Sequence, residues 1–328
     1  MKQAIIESVP NFSEGRDASI IRQITDAIES VPNVKLLHVD MGAAANRTVI
    51  TFAGEATAMT EAAFLATRKA GELIDMRRQH GEHPRIGATD VLPLVPLTGI
   101  TLEETAQLAR QLARRIADEA RIPCYCYEAS AFRPERKNLA VCRAGEYEAL
   151  AEKLSVPETA PDYGTRPFDE GIARTGCTVV GARDFLLAVN FNLNTESAEA
   201  ANAIARRIRE KGHAGHPGTL KATKALGWYI KEYGCAQVSM NLCNLNVTPL
   251  HVAFEEVCRQ AETDGLHVTG TEIIGLVPKQ TILSAGAHFS QGNAQLPERE
   301  LIAAAIQNMH LDEPRPFRAE EKIIEFLL

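Results

Sequence analysis

Between Ser155 and Gly176 the hydrophobic period of the chain lapses, and Pro157, Pro161 and Pro167 are interspersed with Gly164, Gly171 and Gly176. Proline removes a backbone donor and glycine frees φ, so a stretch rich in both cannot continue a helix or a central strand. Regular patterns lie on either side of it. The segment reads as a domain boundary that is long enough to line a ligand cleft, and the expected units are residues 1–176 and 177–328. With 328 residues, 45% of them hydrophobic, the chain can bury a core in each.

Before the boundary, residues 3–9 form a strand-like run, and VPNFSEGRD at 9–17 is rich in turn formers. Ile20, Ile21, Ile24, Ile28 and Val31 then recur at helical spacing. The runs 34–40 and 47–52 read as two strands joined by the small-residue loop MGAAAN, and a helix follows over 56–74. The segment 91–97, VLPLVPL, carries Pro93 and Pro96, which predicts an edge strand or an extended piece. Thr101 with Glu104 is a capping box for the next helix, followed by a strand at 122–127 and a short helix at 145–154. Beyond the boundary the pattern resumes, with strands at 185–193, 237–246 and 267–274. Helices there are marked by Ala201, Ile204, Ala205 and Ile208, by Leu250 to Ala261, and by Pro297 at the start of the last one. The expected fold class is α/β with α+β layering. Two subdomains, each a mixed β-sheet with helices on one side, would flank a ligand cleft.

A net charge of -7 without strong local blocks argues against nucleic-acid binding and requires that any anionic substrate be held by locally placed cations. The start MKQAIIESVP does not read as a secretion signal, and no apolar run reaches the length of a membrane span. Seven scattered cysteines suit a reduced cytoplasmic protein, with Cys124 and Cys126 on one face of a strand and Cys177 as a structural thiol. No CxxC, GxGxxG or Walker A sequence is present, and the single Trp228 reads as a packing residue.

The stretch His80 to Asp90, HGEHPRIGATD, sets five ionisable side chains among two glycines and a proline. His80, Glu82 and His83 suit either a metal site or acid/base catalysis. A metal site needs more ligands; the two histidines lack the i, i+4 spacing of a helical zinc pair, and the similarly spaced His213 and His216 stand in another loop, HAGHPG. Proton transfer needs less. His83 with Glu82 to orient it and Arg85 to hold an anion is enough, although the same residues also read as a solvated loop shaped by Pro84 and Gly87. Asp40, Asn46 and Arg47 project from one hairpin end, either as site residues or as ordinary turn residues. Lys211, Lys221 and Lys224 with His213 and His216 form a basic cluster, for a ligand's carboxylates or simply as solvated surface.

The segments VPNFSEGRD (9–17), DMGAAANRTV (40–49), GEHPRIGATDV (81–91), RAGEYEAL (143–150) and LGWY (226–229) together resemble the glutamate formimidoyltransferase family, and the likeness runs on to IIEFLL at 323–328. The resemblance implies transfer of the formimino group from N-formimino-L-glutamate to tetrahydrofolate, giving 5-formiminotetrahydrofolate and L-glutamate in histidine degradation and one-carbon metabolism. It implies two α/β subdomains with a folate cleft between them, tetrahydrofolate as co-substrate, no metal, and a homodimer. The catalytic histidine of the GEHPR motif falls on His83. The folate-binding stretch falls on Gly164, Thr165, Arg166, Pro167, Phe168, Asp169, Glu170, Gly171, Ile172 and Ala173. Asp40, Asn46, Arg47, Glu82 and Arg85 match motif positions: Asp40 or Glu82 for the amidinium or for orienting His83, and Asn46, Arg47 and Arg85 for binding substrate. His80 stands where relatives carry a lysine, which sets it apart from His83. Animal members are fused to a cyclodeaminase, so onward processing is expected from a separate protein. Alternatives are formyl transfer from N-formylglutamate, a folate-binding protein without transferase activity, and a metal-dependent amidine or amide hydrolase using His80, His83, His213 and His216.

Overall fold

The computed structural model describes residues 4–43, 46–81, 84–231 and 233–327, and the chain divides into two compact units, Met1–Asp184 and Phe185–Leu328. In the first, the elements are β1 (Ile5–Ser8), β2 (Asn11–Phe12), α1 (Ala18–Glu29), β3 (Val34–Gly42), β4 (Arg47–Glu55), α2 (Ala56–Leu73), β5 (Thr89–Thr98) and α3 (Leu102–Arg115). They are followed by β6 (Cys124–Glu128), the short helices α4 (Leu139–Cys142), α5 (Leu150–Ser155) and α6 (Glu170–Thr175), and β7 (Thr178–Ala182). The helices start where local chemistry allows. Asp17 accepts the Ser19 amide at 2.8 Å to cap α1, and Thr101 and Glu104 form the expected capping box on α3.

The sheet of this unit is mixed. β3 pairs with β4, and β1 and β2 lie end to end between β4 and β5; β7 then runs parallel to both β5 and β6. Alternation along the strands divides the core in two: Leu92, Leu94, Cys124, Cys126, Val180 and Ala182 face α1, α2 and α3, while Val91, Tyr125, Tyr127 and Val179 pack with Cys142, Leu150, Leu154 and Ile172 of the short helices. Helical cover is therefore not confined to one side of this sheet. Cys124 and Cys126 do share a face, and all the cysteines are free thiols.

Two expectations are corrected here. β5 is a central strand, not an edge one, because each proline falls where no ladder bond is lost. Leu94 O accepts from Arg183 N on the β7 side, so Pro93 points the other way, towards the Val9–Pro10 break between β1 and β2, where its carbonyl accepts Ser8 Oγ at 2.8 Å. Pro96 points to the β7 side, but beyond the end of β7 at Ala182. The unit boundary also lies past Gly176: β7 is wedged between β5 and β6, so the first unit extends to Asp184 and the proline- and glycine-rich stretch belongs inside it.

The second unit contains β8 (Leu187–Leu193), α7 (Ala198–Ile208), β9 (Thr223–Ile230), β10 (Cys235–Leu242), α8 (Leu250–Thr263), β11 (Val268–Ile274), α9 (Lys279–Phe289) and α10 (Glu298–Asn308). Its strands form an antiparallel sheet in the order β11-β8-β10-β9. Leu187, Val189, Phe191 and Leu193 meet Ala201, Ile204, Leu250 and Val257 of α7 and α8 on one face. Asn190, Asn192 and Gln237 lie on the other, with Gln237 Nε2 bonded to Asn192 Oδ1 at 2.7 Å. β9 escapes a reading by alternation because Leu226, Trp228 and Tyr229 are all exposed. Trp228 is an edge-strand residue, 40% exposed, whose indole donates to Gln237 Oε1 at 2.9 Å, so it does not serve as core packing. Among the described residues no helix is long and apolar enough to cross a membrane.

Candidate active site

Residues 9–17 tie the β3–β4 hairpin end to the loop after α2. β2 sets Asn11 beside β4, where its side-chain oxygen accepts from Arg47 Nη1 at 2.7 Å. Ser13 donates through Oγ to Gly87 O at 2.7 Å and through its amide to Ala88 O at 2.9 Å. Glu14 is buried; it takes the amides of Arg16 and Asp17 on Oε1 and Gln79 Nε2 on Oε2 at 3.0 Å. Gly15 has no room for a side chain, since a Cβ would stand 2.4 Å from Gly42 O and 2.5 Å from Arg47 N. Its amide donates to Asn46 Oδ1 at 3.0 Å, and Asn46 Nδ2 in turn donates to Gln79 Oε1. Asn46 adopts φ 46°, a left-handed turn that its short polar side chain tolerates. The motif VPNFSEG thus acts as a joint, gripping the hairpin on one side and, at Gln79, Gly87 and Ala88, the loop after α2 on the other.

That loop is gripped again by residues 143–148. Arg85, its side chain 11% exposed, donates from Nε to Gln79 O at 2.8 Å and from Nη2 to Glu148 Oε1 at 2.7 Å, and stands 3.5 Å from Glu146 Oε2. The Tyr147 amide donates to Arg85 O at 2.9 Å. Asp90, at 1% exposure, accepts the Ile86 amide at 3.0 Å and Arg143 on both carboxylate oxygens. Burial pushes the Asp90 carboxyl above the usual carboxylate range, against the pull of Arg143, the Ile86 amide and Arg47. Burial likewise lowers the Arg47 guanidinium, which feels Asp90, Arg143 and Asp40 as its charged neighbours. Asp40 itself is exposed on β3, opposite Val49. A polar cavity of about 370 Å³ opens beside the loop, lined by His80, Gly81, Arg85, Gly145, Glu146 and Glu148. Glu82 and His83 lie outside the described residues.

The stretch from Gly164 to Ala173 folds onto the same region. Gly164 takes φ 72°, and Thr165 Oγ1 donates to Pro161 O at 2.8 Å. Arg166 is engaged by Asp169 Oδ2 at 2.9 Å and by Arg121 O. After Pro167, Asp169 caps α6 through the Ile172 amide, and the hydrogen bond from Arg166 holds its carboxyl below the ordinary value. Phe168 is 39% exposed, whereas Ile172 and Ala173 are buried. Tyr147 OH donates to Ala173 O at 2.5 Å, Arg77 Nη1 reaches Glu170 at 2.9 Å, and the chain four residues after Gly171 meets the loop where Ala88 N donates to Thr175 O.

A family model described as the formiminotransferase domain, N-terminal subdomain, matches residues 5–183, and one described as the formiminotransferase domain matches residues 188–328. The chain belongs to the formiminotransferase family. Glutamate formimidoyltransferase of Streptococcus pyogenes serotype M1 is 42% identical over 88% of this chain and 93% of its own length. The protein of that name from Thermoplasma acidophilum is 40% identical over 92% and 99%. Formimidoyltransferase-cyclodeaminase of Sus scrofa is 43% identical over 99% of this chain, which spans 60% of that relative's length. The two formiminotransferase matches meet at the same seam as the two compact units.

Of the residues singled out in the sequence, the formiminotransferase fold brings Asp40, Asn46 and Arg47 to one hairpin end and links Asn46 to Arg85 through Gln79, which accepts from both. Arg85 is occupied by its carboxylates and acts as a tie within the loop. His213 and His216 belong to the second unit, where they exchange backbone amides at 3.0 Å across a two-residue turn. Among the described residues no three His, Cys, Asp or Glu side chains gather as a metal-ligand group. Sequence reasoning missed Asn11, Glu14, Gln79, Asp90 and Arg143 as members of the cluster. Asn11, Glu14, Asp90 and Arg143 stand within motifs quoted for the resemblance, but nothing in the spacing tells that Arg143 returns to Asp90 across 53 positions.

Proposed function

We propose that this chain is a glutamate formimidoyltransferase, carrying the formimino group of N-formimino-L-glutamate to N5 of tetrahydrofolate and releasing L-glutamate and 5-formiminotetrahydrofolate. The observation that supports this most is convergence: VPNFSEG, the hairpin end at Asp40 to Arg47, and the two segments flanking Glu82 and His83 are knitted into one polar cluster in a chain of the formiminotransferase family. Attack of N5 on the amidine carbon forms a tetrahedral centre. N5 must then lose a proton, and the nitrogen of glutamate must gain one to leave as an amine. His83, taking the first proton and delivering the second, serves as general base and general acid in turn, a contribution of about 10²- to 10⁴-fold.

In this reading Asp40, exposed and one of the carboxylates near Arg47, stabilises the cationic amidinium of the donor, and Glu82 orients His83. Arg47 and Asn46 take a substrate carboxylate, with Arg85 shaping the loop. Residues 164–173 supply the folate side, where the partly exposed Phe168 and the solvent-facing Glu170, whose carboxylate pairs with Arg77, offer contacts to a ligand. Aligning two bound substrates accounts for much of the remaining acceleration. The acting form is a homodimer in the cytoplasm, and the product passes to a cyclodeaminase.

The test is direct. Purified protein given N-formimino-L-glutamate and tetrahydrofolate is expected to form 5-formiminotetrahydrofolate, followed by its absorbance. His83→Ala is expected to bind folate unchanged and to lose turnover by about 10²-fold or more. Full activity in that variant would remove His83 from the chemistry, and N-formylglutamate as the better donor would move the assignment to formyl transfer.

A further inference from the structure

Ion pairs of two arginines join the segment 79–90 to residues 143–148, and they run in opposite directions. Arg85 of the first segment reaches Glu146 and Glu148 of the second, while Arg143 of the second reaches back to Asp90 of the first. Their settings differ. Glu146 and Glu148 are 41% and 60% exposed, so solvent screens that contact, but the Asp90 side chain is 2% exposed and Arg143 14%. Arg143 holds both oxygens of Asp90, from Nε at 3.2 Å and from Nη2, and Asp90 Oδ1 also fixes the Ile86 amide at 3.0 Å. A carboxylate and a guanidinium withdrawn from water this far are poor devices for stability, since apolar residues of the same volume commonly do as well. What the pair supplies is direction: a planar fork on a planar carboxylate sets position and angle together.

The direction is imposed on one short piece of chain. Arg85 Nε closes on Gln79 O at 2.8 Å, Ile86 N closes on Asp90, and the Tyr147 amide binds Arg85 O at 2.9 Å. Gly87 lies against the strand entry so closely that a Cβ would stand 2.1 Å from Cys177 O. In sequence these ties fall on both sides of residues 82 and 83.

We propose that Asp90 and Arg143 are positioning residues for the transfer reaction: their buried two-point pair fixes the Ile86 amide and the chain at Arg85, which in sequence leads directly to the residue given the proton transfer above. This rests on the reading of His83 given above. Neither side chain is asked to touch substrate.

The experiment compares the wild type with Asp90→Asn, Arg143→Lys, Asp90→Asn/Arg143→Gln and His83→Ala, recording kcat, KM for both substrates and the thermal midpoint of each. Asp90→Asn is expected to lower kcat by about 30- to 100-fold with both KM values within about threefold, because a displacement of about 1 Å at a reacting group costs on that order. Arg143→Lys keeps the charge but not the fork, and is expected to fall between wild type and Asp90→Asn. The double variant is expected to be no slower than the worse single one, since the two act as one unit. A purely structural role would lower the thermal midpoint and leave kcat per folded molecule unchanged. If Asp90→Asn or Arg143→Lys, folded, keeps kcat within twofold of wild type while His83→Ala is inactive, the proposal is overturned and the reading of His83 stands. If His83→Ala is active, that reading falls and the proposal falls with it. Should Asp90→Asn fail to fold, the Arg143→Lys series decides alone.

Discussion

Cys177 shows how far a single residue can be judged from its neighbours in sequence. It follows the proline- and glycine-rich stretch and has no histidine beside it in sequence, which reads as a structural thiol, and in the fold it is fully buried with its amide bonded to Ile86 O at 3.0 Å. Burial pushes the Cys177 and Cys126 thiols up to about 12 and Cys142 to about 11, while Cys124 is also driven upward. Since the thiolate is the reactive form, these four are expected to resist a small alkylating reagent at pH 8 in the native protein and to react fully in denaturant. Peptide mass mapping of the two samples checks this, and native labelling of Cys177 would contradict its placement. The polar residues were less legible. Asp40, Asn46 and Arg47 could be named because a hairpin places sequence neighbours together, whereas Glu14 and Gln79 meet across 65 positions, and no local rule reports such a partner.

At the scale of elements, helices and hairpins followed their periods and caps, because local hydrogen bonding and one buried stripe decide them. β5 departed from its local reading because its neighbours absorb its prolines, and β9 was not read at all because its exposed Leu226 and Trp228 blur the alternation. α9 was missed as well, and it forms with α8 a contact that is expected to be acid-sensitive. His251 of α8 stacks on His288 of α9 with ring centres 4.5 Å apart, and His288 Nε2 lies 2.8 Å from Glu255 Oε1. Burial lowers the His251 pKa, and His288 lowers it further, with Glu255 opposing. The unfolded chain therefore takes up a proton on His251 before the folded one does, so stability held above the ordinary histidine value is lost as pH falls below it. Urea midpoints are expected to drop between pH 7 and pH 5, and His251→Phe, which keeps the ring and removes the proton site, is expected to flatten the drop. An unchanged slope in that variant would assign the acid sensitivity elsewhere.

For the whole molecule, the division into two units was visible as a change of composition, but its position was not, and the reason is topological. Proline and glycine mark where regular structure stops; they do not say which sheet the next strand joins. Here the next strand, β7, returns to the first unit and enters between β5 and β6, with Val91 to Leu94 on one flank and Cys124 to Glu128 on the other. Removing it would leave β6 without a partner, expose the parallel edge of β5, and open both cores, since Val180 and Ala182 belong to one and Val179 to the other. A fragment of residues 1–184 is therefore expected to melt cooperatively, whereas one of residues 1–176, shorter by one strand and its flanking residues, is expected to aggregate or to unfold without a sharp transition. Circular dichroism during heating distinguishes the two. Equal cooperativity would mean that β7 adds to a sheet already complete without it, contrary to a strand paired along its whole length with β6 and from Val179 to Ala182 with β5.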